Sequence, residues 1–473
     1  MATVQAEESE LEEPGDDELA GRRLGLWSWA LFDWANQPYF TLITTFIFAP
    51  YFAATVVGDA TRGQSLWGYA QSVAGLAIAL LSPVLGAMAD AAGPRKPWTF
   101  VFQAFCVVGS IGLWWAVPGA DADRILLVLV LVTIASIGAE FSIVFNNAML
   151  PSLVGERWLG RLSGYAWGLG YLGGLISLAG MLTAFSLAET PLFGLDKAAY
   201  ENVRIVGPLT AGWLVIFVIP LFVFTPDAPR TGLGRLHAAR RGLAQLWTTL
   251  RALGHYRNVA LFFIARMTYQ DGLSAIFAFG GIYAAGIFGW STVDLGIFGI
   301  IITLFAAVGA AAGGWLDDRI GSKRTLLIAV TGLFVATLGV VSITAEPAGT
   351  GLRHETLLFL FDATVPAGAG MFATPGQLAF LGFGILIGIC GGPAQAASRT
   401  MVSRLVPTRL AGEFYGLFAL SGKATAFIAP FLIALVTTLY GSQRAGVSVI
   451  LGFLGLGLVL LLPVREQRTE APD

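Results

Sequence analysis

The segment Gly86-Ala-Met-Ala-Asp90-Ala-Ala-Gly93-Pro-Arg95-Lys96 occurs twice in this chain. Its second copy, Gly314-Trp-Leu-Asp-Asp318-Arg-Ile-Gly321-Ser-Lys323-Arg324, repeats two glycines, an aspartate and two cations at a constant offset of 228 residues. Each copy follows one long apolar segment and precedes another. Because the offset is close to half of the 473 residues, the repeat indicates that the chain consists of two related halves.

The composition is that of a polytopic membrane protein. Hydrophobic residues make up 56% of the chain and charged residues only 12%, about half of the usual charged fraction. A transmembrane helix needs about 20 mainly apolar residues. Twelve such segments, numbered α1 to α12, are predicted at 27–56, 66–89, 97–118, 125–149, 161–187, 207–225, 259–288, 292–316, 325–345, 376–398, 414–439 and 444–463. The predicted fold is therefore all-α, with 12 transmembrane helices in two pseudo-symmetric six-helix halves.

Positive charge is unequally shared between the two sets of loops. Twenty Lys and Arg residues fall on the side that holds both chain ends, and six fall on the other side. The positive-inside rule then predicts a protein of the cytoplasmic membrane with both termini in the cytoplasm. The first 20 residues hold eight acids and no base, so a cleavable signal peptide is not expected.

These patterns predict five regions. They are an acidic disordered tail (1–24), an N-terminal six-helix half (25–225), a basic cytoplasmic linker (226–258), a C-terminal six-helix half (259–464) and a second cytoplasmic tail (465–473). Arginines alternate with leucines and a tryptophan in the linker, which favours an amphipathic helix on the anionic inner leaflet over a nucleic-acid site.

The doubled motif after the second and eighth of twelve helices resembles the major facilitator superfamily. Three further stretches are similar to the branch that includes the fungal vacuolar amino-acid effluxer linked to autophagy and many bacterial permeases. They are Phe32-Asp33-Trp34-Ala35-Asn36, the run from Gly160 to Gly174, and Leu420-Ser421-Gly422-Lys423 preceded by Gln395 and Ser398-Arg399. The resemblance implies a transporter, with amino acids as the expected solutes. It also implies that α1, α4, α7 and α10 line the central cavity and that α2, α5, α8 and α11 meet across the halves.

Five charged residues lie well away from the ends of predicted helices: Asp33, Glu140, Arg266, Asp271 and Lys423. A charge in the bilayer costs several kcal/mol, so each of them needs a partner or a function. Asp271 is the first candidate for binding a substrate ammonium or a proton. Arg266 lies five residues before it, which is poor spacing for a local pair, so we expect Arg266 to reach Asp33 or Glu140 instead.

The other intramembrane charges leave two interpretations open. Asp33 and Asn36 share a helix face, either as a patch that lines the cavity or as a structural polar pair. Glu140 is either a gating or proton-carrying group or the partner of Lys423 or Arg266 in a buried salt bridge. Lys423 either binds a substrate carboxylate or neutralises a carboxylate of the other half in one state only. Neighbouring polar residues complete the candidate set: Tyr269, Gln270, Asn146 and Gln395.

The two motifs are predicted to form gates. A carboxylate at the end of α2 or α8 can accept hydrogen bonds from the positive N-terminus of a neighbouring helix. By resemblance, Asp90 docks on the start of α11 and stabilises the outward-open state, and the adjacent cations hold it by charge. The gating residues predicted in this way are Gly86, Asp90, Gly93, Arg95, Lys96, Gly314, Asp318, Gly321, Lys323 and Arg324.

The predicted function is secondary active transport of a small solute by alternating access, coupled to protons or to the solute gradient, because the chain contains no P-loop motif. A lipid or lysolipid transporter on the same fold and a non-transporting membrane sensor are the alternatives. An enzyme is not expected, because the three histidines all lie in loops. The sequence predicts no metal or cofactor, and it predicts a monomer whose partners are a solute, protons and the lipid bilayer.

Overall fold

The computed structural model of the protein describes residues 16–154, 156–229, 256–344, 361–362, 365, 370–405, 418 and 421–466. Within these ranges, 12 helices are long and apolar enough to cross a membrane. They correspond to the predicted helices and keep their labels, which confirms the predicted fold class. The acidic segment 1–15 and most of the linker, 230–255, lie outside the described residues, so the division into five regions stays a prediction.

The first span is the least regular one. It is α-helical over Asp16–Pro38, π-helical over Tyr39–Phe46, α-helical over Phe48–Tyr51 and π-helical over Phe52–Val56. Proline explains the first change, because it has no N–H and cannot bond to the carbonyl four residues earlier. In α1 that carbonyl belongs to Trp34, and it accepts a hydrogen bond of 3.1 Å from Trp213 Nε1 of α6 instead.

The remaining spans are mostly regular. In order from α2 to α12 they are Ala60–Ala92, Lys96–Gly112, Ala122–Leu153, Glu156–Met181, Val206–Phe224, Arg257–Phe288, Thr292–Ile320, Ser322–Val341, Pro375–Leu405, Ile428–Tyr440 and Gln443–Leu461. Short 3-10 segments (Leu113–Trp115, Leu192–Gly194), a π-helical segment (Leu182–Ser186), a short helix (Glu201–Arg204) and a parallel pair of two-residue strands (Ile343–Thr344 and Phe361–Asp362) lie between them.

Two helices differ from their predicted bounds in ways that bear on function. α10 continues to Leu405 and not only to residue 398, so Arg399 lies inside it. α11 is interrupted, since residues 421–424 are helical, residues 425–427 form a turn and the regular helix begins at Ile428. Discontinuous transmembrane helices often carry the polar sites of transporters.

Close packing of small residues holds neighbouring helices together. Backbone atoms of α3 leave no room for a Cβ at Gly138 of α4, and backbone atoms of α10 leave none at Gly309 of α8. Between the halves, α2 packs along α11 and α5 along α8, as the resemblance implies. We call the end of the bundle that carries the two repeated motifs the motif end. The opposite end, with turns at 57–59 and 441–442, is the far end.

Candidate functional site

A salt bridge joins the two halves inside the membrane. The Lys423 ammonium of α11 donates a hydrogen bond to Glu140 Oε2 of α4. Each side chain is about three-quarters buried, because 24% of Glu140 and 29% of Lys423 is exposed. The structure therefore brings together two of the residues for which the sequence left pairing and solute binding as alternatives.

Asp271 lies in α7 with only 4% of its surface exposed. Among the described residues it has no cation within 4.0 Å. The charges of Arg266 and Lys423 act on it from a greater distance, and the Thr425 hydroxyl in the turn of α11 interacts with it without reaching standard hydrogen-bond geometry. A buried carboxyl group next to the break in α11 is thus available to a cationic group or a proton.

Arg266 does not reach Asp33 or Glu140, so that expectation is wrong. Its Nη1 donates hydrogen bonds to the Phe418 carbonyl (2.8 Å) and to Ser421 Oγ (2.6 Å), and its guanidinium group lies 3.6 Å from the centre of the Phe418 ring. Arg266 makes these contacts because its face of α7 packs against the N-terminal part of α11. The Phe418 carbonyl and the Ser421 hydroxyl accept hydrogen bonds from Nη1 there, while Nε has no hydrogen-bond partner among the described residues.

The two polar residues of the predicted patch on α1 have different surroundings. Asp33 contacts α5, where a Cβ at Gly170 would lie 3.4 Å from the Asp33 Cβ. Asn36 is 2% exposed, and neither of its amide atoms has a hydrogen-bond partner among the described residues. A buried amide without partners is costly, so Asn36 offers both a donor and an acceptor to a solute or to water.

Arg399 is a site residue that the sequence reasoning missed. Its charge acts on the Asp33 carboxyl, and its guanidinium lies 5.3 Å from the centre of the Trp167 ring of α5, across the two halves. The apolar residues Met401, Val402 and Leu405, which follow Arg399, were the signal in the sequence that the helix continues. All three are buried in the structure. That pattern extends α10 by two turns and places Arg399 inside the membrane.

The remaining candidates make local contacts. Tyr269 is fully buried and bonds to Ser398 Oγ of α10 at 2.7 Å. Gln270 donates only to Ser274 of its own helix, at 3.4 Å. Asn146 is buried, and its backbone carbonyl accepts from Trp29 Nε1 at 2.8 Å. Gln395 is half-buried and bonds to none of the described residues.

A chain of polar side chains near Glu140 was also missed. The Tyr39 hydroxyl bonds to Ser136 Oγ at 2.8 Å, and Ser136 donates to Gln71 Oε1 at 3.3 Å. Ser136 lies one turn from Glu140 on α4, on the side toward the far end, so this chain is close to the salt bridge. Isolated Tyr, Ser and Gln residues in apolar helices carry no sequence signal of such a contact.

At the motif end, carboxylates bind the N-termini of α3 and α9 in the same manner. Asp227, just after α6, accepts the backbone N–H groups of Arg95 (2.8 Å) and Lys96 (3.0 Å). Glu466, just after α12, accepts those of Ser322 (3.0 Å) and Lys323 (3.1 Å). The lysine of each motif also binds a carbonyl near the C-terminus of α6 or α12. The Lys96 ammonium donates to the Phe222 carbonyl (3.0 Å), and the Lys323 ammonium donates to the Leu462 carbonyl (2.7 Å).

The role predicted for Asp318 needs a correction. Asp318 is exposed, whereas Asp317, one position earlier and about 100° around α8, is 4% exposed. Asp317 accepts from Thr400 Oγ1 at 2.6 Å and lies 3.6 Å from Arg404, which also pairs with Glu466 at 2.6 Å. The side chain of Asp90 and most of the segment before α11 lie outside the described residues, so the predicted docking of Asp90 stays a prediction.

Glu466 has a shifted pKa. Burial alone would raise it, but the hydrogen bonds from Arg404 and from the backbone of Lys323 and Ser322 outweigh burial. The pKa of the Glu466 carboxyl therefore lies below its ordinary value of 4.5, and the group is ionised at neutral pH.

Comparisons with known proteins agree with this architecture. The family model described as "Vacuole effluxer Atg22 like" matches residues 53–471. The MFS-type transporter YxiO of Bacillus subtilis (strain 168), itself uncharacterised, is 26% identical over 454 residues, which cover 93% of this chain and 94% of that protein. Autophagy-related protein 22-1 of Neosartorya fischeri is 22% identical over 331 residues, 66% of this chain and 49% of that protein. The chain thus matches only about half of the length of this fungal relative.

Solved structures with a similar fold are also transporters. A D-xylose-proton symporter superposes with a TM-score of 0.65 at 12% identity, covering 96% of this chain and 99% of that one. The nucleoside transporter NupG superposes with a TM-score of 0.58 at 16% identity, covering 94% and 98%. At these identities the likeness shows the fold alone. Together with the family match over most of the sequence, it shows that this chain is an integral membrane transporter of the major facilitator fold and belongs to the Atg22-like vacuole effluxer family.

Proposed function

We propose that the protein moves a small amino-type solute, with an ammonium and a carboxylate group, across the cytoplasmic membrane by alternating access. The carrying observation is the buried Asp271 carboxyl, which has no cation within 4.0 Å among the described residues. Such a group binds an ammonium more favourably than bulk water would allow, because charge interactions are stronger at low dielectric. The resemblance to the amino-acid effluxer branch supports amino acids as the solutes, and the family description, a vacuole effluxer, supports export as the direction that we propose.

The Glu140–Lys423 salt bridge supplies the link between solute and conformation. When the halves separate at this point, the salt bridge breaks. Glu140 and Lys423 are then partly buried charges without partners, which raises the free energy of that state. A solute carboxylate at Lys423, together with its ammonium at Asp271, offsets that loss. Solute binding then stabilises the state in which the salt bridge is open, which is the differential affinity that alternating access requires.

Proton coupling follows from the same residues. A carboxylate that loses its cation inside the bilayer is stabilised by binding a proton. Glu140 is the proton carrier that we propose, with Asp33 and Arg399 as a second charged pair across the halves and Asn36 as a neutral binding group. The two motifs and the basic linker 226–258 act as gates and hinge, and both termini lie in the cytoplasm.

Equilibrium binding to the purified protein tests the solute class. Three sets of ligands are compared: a pool of amino acids, the amines that lack their carboxylates, and the carboxylic acids that lack their amines. We expect only the first set to bind well, and we expect Asp271→Asn to weaken it at least tenfold. Asp123→Asn, an exposed aspartate in the first turn of α4, is the matched control and should bind like the wild type. Binding of lipids or lysolipids without amino acids, or equal affinity in Asp271→Asn, would overturn the proposal.

A further inference from the structure

Three hydrogen bonds between uncharged groups join the two halves at the far end. Gln64 Nε2 of α2 donates to Thr437 Oγ1 of α11 (2.9 Å) and to the Gln443 carbonyl of α12 (3.1 Å). Gln443 Nε2 donates in return to the Ala60 carbonyl at the start of α2 (3.0 Å). Gln64 is 0% exposed and its hydrogen bond to Thr437 is buried, whereas the two hydrogen bonds that involve Gln443 are partly buried.

Glycines make room for both glutamine side chains. A Cβ at Gly446 would overlap Thr437 Oγ1 and lie 2.9 Å from Gln64 Nε2. A Cβ at Gly286 of α7 would overlap the Gln443 amide oxygen. Each glutamine amide therefore lies against a glycine of a neighbouring helix, where any larger residue would collide with these hydrogen-bonded side chains.

The same seam continues along α2 and α11 as close backbone contact. A Cβ at Gly68 would lie 2.9 Å from the Pro430 carbonyl, and a Cβ at Gly75 would lie 3.0 Å from the Phe427 backbone. Packing of this kind is apolar and non-directional, so it permits sliding and separation of the two helices. The hydrogen bonds of Gln64 and Gln443 are the better-buried directional contacts in this seam, and an exposed contact of 3.4 Å between the Tyr69 hydroxyl and Thr438 Oγ1 lies beside them.

From this geometry we propose that Gln64, Thr437, Gln443 and the Ala60 carbonyl form an amide latch that holds the far end closed. The inference rests on the proposed alternating access, because only a chain whose halves separate has a use for a latch. Separation of α2 from α11 and α12 breaks all three hydrogen bonds and exposes the buried Gln64 amide. No charged group takes part, so the latch is expected to hold equally well at low and high ionic strength, in contrast to the Glu140–Lys423 salt bridge.

The latch can be tested by distance measurement between spin labels. Cys106 and Cys390 are buried and free, so labels attach to cysteines introduced by Arg62→Cys at the start of α2 and Tyr440→Cys at the end of α11, both exposed positions. Double electron–electron resonance then measures the distribution of distances between the two labels, which gives the populations of molecules with a closed and with an open far end. Gln64→Met and Gln443→Met keep the side-chain volume and remove the donors. Each is expected to raise the ratio of open to closed molecules about tenfold.

Gln377→Met is the matched control. Gln377 is also a buried glutamine at the far end, but its Oε1 accepts the N–H groups of Ala373 (3.0 Å) and Thr374 (3.3 Å) within its own half. Its distance distribution should equal that of the wild type. A wild-type distribution in both latch variants, or an equal shift in the control, would overturn the latch. The measurement needs no solute, so its failure would leave the solute assignment standing, and failed solute binding would leave the latch result unaffected.

Discussion

At the scale of single residues, the charges inside the membrane divide into paired and available groups. Glu140 and Lys423 pair across the halves, while Arg266 contacts a carbonyl, a hydroxyl and an aromatic ring. Asp271 has none of these within reach among the described residues, apart from the Thr425 hydroxyl near it. This difference is why we assign solute binding to Asp271 and conformational coupling to the salt bridge.

Removal of one partner of the salt bridge should be worse than removal of both. Glu140→Gln and Lys423→Met each leave a partly buried charge without its partner, at an expected cost of about 1–3 kcal/mol in stability after allowance for solvent screening. The double variant leaves no charge and should recover most of the loss. Thermal unfolding in detergent measures the cycle, and a double variant as unstable as the sum of the singles would contradict the pairing.

Arg266 should not be replaceable by lysine. The guanidinium lies 3.6 Å from the centre of the Phe418 ring while its Nη1 donates two hydrogen bonds, and the compact, more strongly hydrated ammonium of lysine does not match its planar shape or its reach. We expect Arg266→Lys and Arg266→Met to destabilise the protein by about 2–3 kcal/mol each, measured by the same unfolding assay. Full stability of Arg266→Lys would show that charge alone suffices at this position.

At the scale of elements, carboxylates that follow α6 and α12 fix the N-termini of α3 and α9. Asp227 and Glu466 occupy equivalent places in the two halves, although one is an aspartate and the other a glutamate. Glu466 also binds Arg404, so the C-terminal copy ties α9, α10 and α12 together. The repeated motif is thus one part of a larger repeated cluster.

The stability conferred by Glu466 should depend on pH. Its folded-state pKa lies below 4.5, so its contribution is fully present above the unfolded-state pKa and is lost as the pH falls through the folded-state value. Glu466→Gln is expected to cost about 1–2 kcal/mol at pH 7 and progressively less below pH of about 4.5. Asp318→Asn, at an exposed position, is the control and should have no effect at either pH. A constant deficit for Glu466→Gln across this range would argue against an ionised anchor.

Helix number, order and repeat were predictable because each rests on about 20 apolar residues or on a motif that occurs twice. The C-terminal end of α10 and the break in α11 were not predictable. A charged residue such as Arg399 ends the apolar run in the sequence, even though the helix continues past it in the structure. Side-chain partners were harder still. Asp317 and Asp318 are neighbours of identical chemistry, and only the packing of α8 against α10 decides which of them is buried.

At the scale of the whole molecule, the two halves meet through contacts of different chemistry. The far end is joined by neutral amide and hydroxyl groups, and the salt bridge lies between α4 and α11 deeper in the bundle. Because the contacts at the far end are neutral and those deeper in the bundle are charged, solute and protons can act on the salt bridge without changing the chemistry of the far end. That separation is what a two-state transporter needs if each gate is to open in turn.

The predicted orientation can be tested with fusions. A fluorescent protein joined after residue 466 should be bright, and alkaline phosphatase joined there should be inactive, because the excess of Lys and Arg places both termini in the cytoplasm. The same reporters joined after Thr190, in the connection between α5 and α6, should give the reverse result. Activity of the phosphatase at the C-terminal position would invert the assignment of cytoplasmic and external ends.

Counterflow in proteoliposomes tests the central claim most directly. Vesicles loaded with a pool of unlabelled amino acids are diluted into buffer that contains a trace of the same amino acids in radiolabelled form. Uptake of the label is compared between the wild type, Asp271→Asn and the control Asp123→Asn. We predict specific exchange in the wild type and the control, and a loss of at least tenfold in Asp271→Asn. Exchange that survives the Asp271 substitution would contradict the site, and absence of exchange from folded wild-type protein would contradict transport of amino-type solutes.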